Sequence, residues 1–387
     1  MNDQRASLSL VPYWRLSSFY FFYFASLGAI VPYWSLYLKA QGFGAQEIGT
    51  LIAFIPATKI FAPYIWGWVA DHTQRPITII RIANLLAVLA FIGVFFGNSY
   101  WWLALVMFMF SFFWNSSLPQ FEATTLNHLN KEIHRYSNIR LWGSLGFIFI
   151  VVGLGEFFQS QSIGGLPFFI LALLLAIFLV SLAVPECLQV EHEEQGHIMN
   201  VVRQPVVLAF LAICFLMVLS HGPYYTFYSI YLEDHGYSRR FIGIFWAVGV
   251  IAEVGIFLLM HRIIPLLGVR LLLLITFALT ALRWLLIGYF PDNSTVLFIA
   301  QLFHAFSFGM FHAVGILLVH QFFKGKHQGR GQALYASLSF GVGGAAGSLL
   351  SGLLWDRMDH SSLFAMAALA ALLAWGIVWK FIRVDIK

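Results

Sequence analysis

Tyr37-Leu38-Lys39-Ala40-Gln41-Gly42, followed by Ile48-Gly49, returns later in the chain as Tyr231-Leu232-Glu233-Asp234-His235-Gly236, followed by Ile242-Gly243. The offset is 194 residues at every matched position, and Gly28 and Gly222 are separated by the same interval. In each copy the motif closes one apolar stretch, crosses a short polar turn and opens the next. A constant offset across helix, turn and helix points to duplication, and 194 is close to half of the 387 residues. Two halves of equal plan are therefore expected, residues 1–184 and 205–387, joined by a cytoplasmic linker over residues 185–204.

The stretches flanking the motif belong in lipid. A soluble chain needs far more polar surface than a composition of 60% apolar and 10% charged residues can supply. A hydrocarbon core about 30 Å thick takes roughly 20 apolar residues per helix. Charge-free runs of that length include Leu16 to Leu38, Gln204 to Leu232 and His360 to Trp379. Ile82 to Phe121, broken by Gly97-Asn98-Ser99, holds most of two more. The runs are continuously apolar rather than alternating, which predicts helices and not barrel strands. The expected fold is an all-α membrane protein of twelve transmembrane helices in two pseudosymmetric six-helix bundles. The first run is too long for a signal-peptide core and is expected to stay as the first helix. With both termini cytoplasmic, only Lys39, Arg239, Arg240 and Arg357 among the basic loop residues fall outside, the asymmetry that the positive-inside rule requires.

Several chemistries are disfavoured. Cys187 and Cys214 form no CxxC pair. The net charge of +5 is spread over loops instead of gathered on one face, so nucleic acid is not an expected partner. Glu186, Glu191, His192, Glu193, Glu194 and His197 read as a solvated linker and not a metal site. The glycine run Gly341 to Gly347 lies in an apolar stretch with no following Lys-Ser or Lys-Thr, so it reads as helix packing, not a phosphate loop. A polytopic membrane enzyme remains as an alternative of another class, but Ser144 has no histidine near it in sequence and no Gly-x-Ser-x-Gly elbow is present.

After the second helix come Gly67, then Asp71, then Arg75, each four residues on. This spacing resembles the loop of the major facilitator superfamily, with Gln74 in place of the usual glycine and Pro76 in place of a second basic residue. The resemblance implies that Gly67 permits close helix packing, and that Asp71 and Arg75 make cytoplasmic contacts that switch as the halves rock. A further resemblance begins at Glu122 and at Arg140-Leu141-Trp142-Gly143-Ser144, and continues through Glu253, Arg283 and His304. It is to the lactose-permease-like carriers, whose protonatable glutamate in the tenth helix is Ser307 here. Within that group Gly249 to Val254 and the Arg140 segment are similar to the phenylpropionic acid permease family of proton symporters. The resemblance implies import of a small aromatic carboxylic acid with a proton across a bacterial inner membrane. No cofactor is expected beyond the proton as coupling ion, and no protein partner beyond the lipid bilayer, so the carrier is expected to act as a monomer.

The intramembrane charges can be weighed independently. An ionised side chain at mid-helix costs at least about 3 kcal/mol, so it normally faces a cavity or a partner. Lys59 lies twelve residues before Asp71, about 18 Å along a helix and hence near mid-membrane. Adding the repeat offset to Lys59 gives Glu253, so the two are expected to approach a central cavity from opposite halves. Lys59, Arg140 and Arg283 outnumber Glu122 and Glu253 by one, a surplus that suits one organic anion. Substrate contacts are therefore expected from Lys59, Arg140, Glu122, Tyr23 and Tyr228, the tyrosines stacking on an aromatic ring. Proton coupling is expected from Glu253, with His304 and Arg283 as its partners, and from Glu122. A neutral sugar or nucleoside is the alternative substrate, and it would leave Lys59 without a charge to meet.

Overall fold

The computed structural model describes residues 11–186 and 198–383. Eleven of its helices are long and apolar enough to cross a membrane. The longest, Arg239–Tyr289, is interrupted at Gly268, whose φ of 71° and ψ of 157° lie where a side chain would be strained. It therefore supplies two spans, and the total is the expected twelve. They are α1 (Tyr13–Ala40), α2 (Ala45–Thr73), α3 (Pro76–Phe95), α4 (Tyr100–Leu129), α5 (Tyr136–Ser160), α6 (Ile163–Ala183), α7 (Pro205–Asp234), α8 (239–267), α9 (269–289), α10 (Ser294–Phe322), α11 (Gln328–Leu354) and α12 (His360–Phe381). Among the described residues there is no strand.

Within each half, glycines set how closely helices approach. A Cβ on Gly28 of α1 would lie 2.9 Å from the Phe147 carbonyl of α5, and one on Gly146 only 2.2 Å from the Phe21 carbonyl. The repeat mate of Gly28, Gly222 of α7, faces Gly347 of α11 in the same way, at 2.4 Å. The Gly341 to Gly347 run is thus a packing surface, as its sequence suggests. Around these contacts each half closes on aromatic rings: Tyr23 stacks on Trp114 at 4.8 Å, and Phe227 stacks on Trp355 at 4.3 Å.

Four spans lose regular α-geometry near their middle. Pro56 lacks an N–H, and α2 breaks three residues later over Lys59, Ile60 and Phe61, before Pro63 restarts it. Carbonyls near that break are met by side chains: Asn115 donates to Ile55 O at 2.7 Å and Ser337 to Ile60 O at 3.1 Å. In α7 the break falls at His221, just before Gly222-Pro223. In α10 and α11 single π-helical turns cover Ala305–Met310 and Ser337–Gly343. Interrupted spans of this kind line the sites of carriers, because freed backbone groups are tolerated in a membrane only where something else satisfies them.

The halves meet at one end. Gly49 of α2 abuts Gly352 of α11, and Gly243 of α8 abuts Gly155 of α5, each pair close enough that no Cβ fits between. Lys39 pairs with Asp234, Arg240 with Glu156 at 3.1 Å, and Arg239 donates to the Phe158 carbonyl, all across the two halves. At the opposite end the segment Ala62–Thr73 packs mainly on α3 and α4 of its own half. Trp68 and Tyr64 on it are exposed. The molecule is therefore closed at the Lys39 end and parted at the Arg75 end.

Two sequence expectations need correction here. Gly67 does not serve close packing in this conformation, since a Cβ there would meet nothing within 4 Å. The parted ends explain it. Glu186, read as part of a solvated linker, instead caps α3: its carboxylate accepts from Ile77 N at 3.1 Å and Thr78 N at 2.8 Å, opposite the positive end of the helix dipole. Residues 187–197, with Cys187, Glu191, His192, Glu193, Glu194 and His197, lie outside the described residues. Gln74 takes a left-handed φ of 52° where the related loops carry glycine, and its side chain donates to the Asp71 carbonyl at 2.7 Å.

Candidate functional site

Arg140 enters the space between the halves because Gly143 and Gly146 let α5 lie against α1. Its guanidinium sits 3.9 Å over the Phe24 ring and 5.5 Å from Tyr20. Glu122 of α4 stands 3.7 Å from its Nε, an ion pair with both side chains about a third exposed, 32% and 31%. No hydrogen bond to a described residue occupies the Arg140 fork. A planar cation stacked on an aromatic face, with free N–H groups, can take a carboxylate in bidentate fashion. Phe24 therefore joins the candidate site.

Across the interface, Glu253 of α8 contacts His304 of α10, Oε2 to Nε2 at 3.8 Å. Glycines again make this possible: a Cβ on Gly249 would lie 3.2 Å from His304, and one on Gly309 would lie 2.9 Å from Glu253. The charge of Arg140 reaches Glu253 and His312 from the other half. Glu253 was expected beside Arg283. Instead Arg283 turns inward, fully buried, with Nε on Ala300 O at 3.0 Å, Nη1 on Ser307 Oγ at 3.0 Å and Nη2 on Gln301 Oε1 at 3.3 Å. Its guanidinium lies 4.2 Å from the Tyr224 ring. Ser307, which stands at the related carriers' glutamate, thus binds Arg283 as a neutral partner. Among the described residues Arg283 forms no ion pair.

Lys59 caps the first segment of α2 at its break, partly exposed, and its ammonium makes no ion pair or hydrogen bond with a described residue. It does not pair with Glu253 despite the shared repeat position. α8 is continuous at Glu253, whereas α2 is broken at Lys59, so equal sequence positions present their side chains from unlike backbones. Tyr23 and Tyr228, expected to stack on substrate, are enclosed here: Tyr23 lies against Trp114, and the Tyr228 hydroxyl accepts from Gln301 Nε2 at 2.6 Å. Asp71 and Arg75 are exposed on the parted side.

Sequence reasoning pointed to Phe24 among the aromatic residues of α1 but missed Gln301 and the closing pair Arg240 and Glu156. No group of three or more metal-ligating side chains is assembled among the described residues.

Comparison with known proteins places this geometry. A family model described as "MFS_1 like family" matches residues 13–366. A protein of Escherichia coli (strain K12) named "Probable 3-phenylpropionic acid transporter" is 28% identical over 357 residues, 91% of this chain and 93% of that one. "Maltose permease" of Geobacillus stearothermophilus is 24% identical over 89% of this chain and 88% of its own length. Among solved structures, a point mutant of nucleoside transporter NupG superposes with a TM-score of 0.85 at 16% identity, covering 96% of this chain and 100% of that one. The POT family transporter PepTSo superposes at 0.76 and 11%, covering 96% and 97%.

Proposed function

Because the chain belongs to the MFS_1 like family of major facilitator transporters, we propose that it imports a small aromatic carboxylic acid such as 3-phenylpropionate together with a proton, by alternating access. It is a multi-pass transporter and not an enzyme. The observation that carries the substrate reading is the guanidinium of Arg140, stacked on Phe24 and paired only loosely with Glu122, with Lys59 unpaired among the described residues. A carboxylate answers positive charges of this kind, and Phe24 offers a ring face to an aromatic substrate. The relative named as a phenylpropionic acid transporter supports the same class.

Proton coupling rests on Glu253, which is half-buried, and the buried His304 it contacts, with Arg283 held beside His304 by Ser307 and Gln301. Glu122 is the second acid. Asp71 and Arg75 make the contacts that form when the Arg75 end closes. With both termini cytoplasmic in a bacterial inner membrane, the parted end faces inward, and one chain suffices as a monomer. A neutral sugar is the second reading, favoured by the likeness to a maltose permease and by the Glu122 and Arg140 pair, which can also hydrogen-bond hydroxyls.

The test is uptake of labelled 3-phenylpropionate into proteoliposomes with and without an inward proton gradient, in wild type and Lys59→Ala. Gradient-dependent uptake that falls in the variant is expected. Uptake indifferent to the gradient removes proton coupling. Absence of uptake removes the aromatic acid and turns the screen to neutral sugars and nucleosides.

A further inference from the structure

We propose that His221 is a third station for the coupling proton, following Glu253 and His304, and that it delivers the proton to the bend in α7. The proposal rests on the proton-coupled reading above.

The geometry begins at the helix break. Pro223 lacks an N–H, and the His221 N–H bonds back to Val218 O, so the Met217 carbonyl is met by side chains. His221 Nδ1 lies 2.8 Å from that oxygen, and Ser220 Oγ lies 2.7 Å from it. A carbonyl only accepts, so the neutral ring carries its proton on Nδ1. Nε2 then holds a lone pair. That atom is buried, in a residue 2% exposed, and has no partner. Capping the break explains Nδ1 but not Nε2, a buried acceptor that costs about 1–3 kcal/mol to leave unmet.

The next titratable ring is His304, 6.4 Å away between centroids, a gap that one water can bridge. His304 has the complementary defect: its Nε2 faces Glu253, and its Nδ1 is buried without a partner. The groups facing the two rings are Arg283 from α9, Glu253 from α8, and Tyr224 and Tyr225 from α7 itself, with Trp284 against His221 at 4.7 Å.

The transfer balances. The Glu253 O–H proton passes to His304 Nε2, and the His304 Nδ1 proton passes to His221 Nε2. Glu253 is left as carboxylate, His304 as the neutral Nε2–H tautomer, and His221 as imidazolium. The positive charge then stands beside Arg283 at the one point where α7 is already bent, so repulsion there acts on the hinge.

The test uses the whole chain in lipid nanodiscs with ¹⁵N-labelled histidine, the His221 resonances being assigned by their loss in His221→Asn or, should that variant misfold, His221→Gln. The His221 Nε2 resonance is expected to respond to pH over the range in which Glu253 and His304 exchange protons. Its midpoint is expected to shift in Glu253→Gln and in His304→Asn. A His221 resonance fixed across the range, or one titrating identically in all backgrounds, overturns the proposal. The measurement needs no substrate, so it fails independently of the uptake assay. A fixed His221 beside gradient-driven uptake sinks the third station alone, whereas a coupled titration without gradient-driven uptake sinks the symport reading alone.

Discussion

Replacing Gly49 by alanine should tilt the carrier away from the conformation closed at the Lys39 end. The new Cβ would lie 2.6 Å from the Gly352 Cα, 2.8 Å from the Ser348 carbonyl and 3.0 Å from the Gly352 nitrogen. All three are backbone atoms, so no side chain can swing aside, and α2 and α11 must separate by most of an ångström. Overpacking of this kind costs about 1–3 kcal/mol. Because the seam joins the two halves, that energy is charged to one conformation and not to the fold, a shift of roughly 5- to 150-fold in the closed-to-open ratio. Spin labels at the exposed turn positions Gln41 and Asp356, in a background with both native cysteines replaced, report it by double electron-electron resonance. The distribution should lengthen in Gly49→Ala while the melting temperature holds. Gly222→Ala is the control: its clash with Gly347 lies inside one half, so it should lower thermal stability and leave the distance ratio alone. A stable Gly49→Ala protein with an unchanged distribution would refute the seam argument.

Three further outcomes follow from local geometry. In Glu253→Gln, gradient-driven accumulation should fall relative to substrate exchange, measured in the same proteoliposomes; an unchanged ratio removes Glu253 from coupling. Gln74 holds φ at 52°, and a β-branched residue there is strained by about 1–3 kcal/mol, so Gln74→Val should lower the melting temperature and Gln74→Gly should not. The Asp359 carboxylate caps α12, accepting from the Ser361 hydroxyl and from the Ser362 hydroxyl and N–H, which hold its pKa down to about 2. With the folded value depressed below an unfolded value of about 3.9, the cap is at full strength above that and is lost as pH falls through about 2. Hydrogen exchange at the Ser362 amide should accelerate over that window in wild type, and Asp359→Asn should abolish the acid dependence.

The spans and the twofold plan were legible because apolar length and a repeated motif are local properties of a chain. Even the Gly268 break matches a short turn between two expected helices. The site was legible in residue type but less so in partnership. Of the two partners expected for Glu253, His304 stands beside it and Arg283 does not, because the pairing depends on which glycines let α8 and α10 touch. Lys59 and Glu253 share a repeat position, but Pro56 breaks one helix and nothing breaks the other there. The glycines that revealed the duplication, Gly49 and Gly243, turned out to be the two seams between the halves. Their sequence role as markers gave no hint of their structural role as contacts.

That double use suggests why the molecule can rock without loosening. The ion pairs at the Lys39 end are of a weak kind. Lys39 with Asp234, and Arg240 with Glu156, are exposed ion pairs, each worth about 0–1 kcal/mol. The glycine seams add close backbone approach between the halves. Inside each half the opposite holds, with Trp34, Trp114, Trp284 and Tyr224 fully buried, and removing one such ring typically costs about 3–5 kcal/mol. A ligand or proton that favours one conformation by a few kcal/mol can therefore open the seam long before it disturbs either bundle. Small residues at the seam and large rings inside the halves confine the motion to the surface where the charged groups of the two halves face each other.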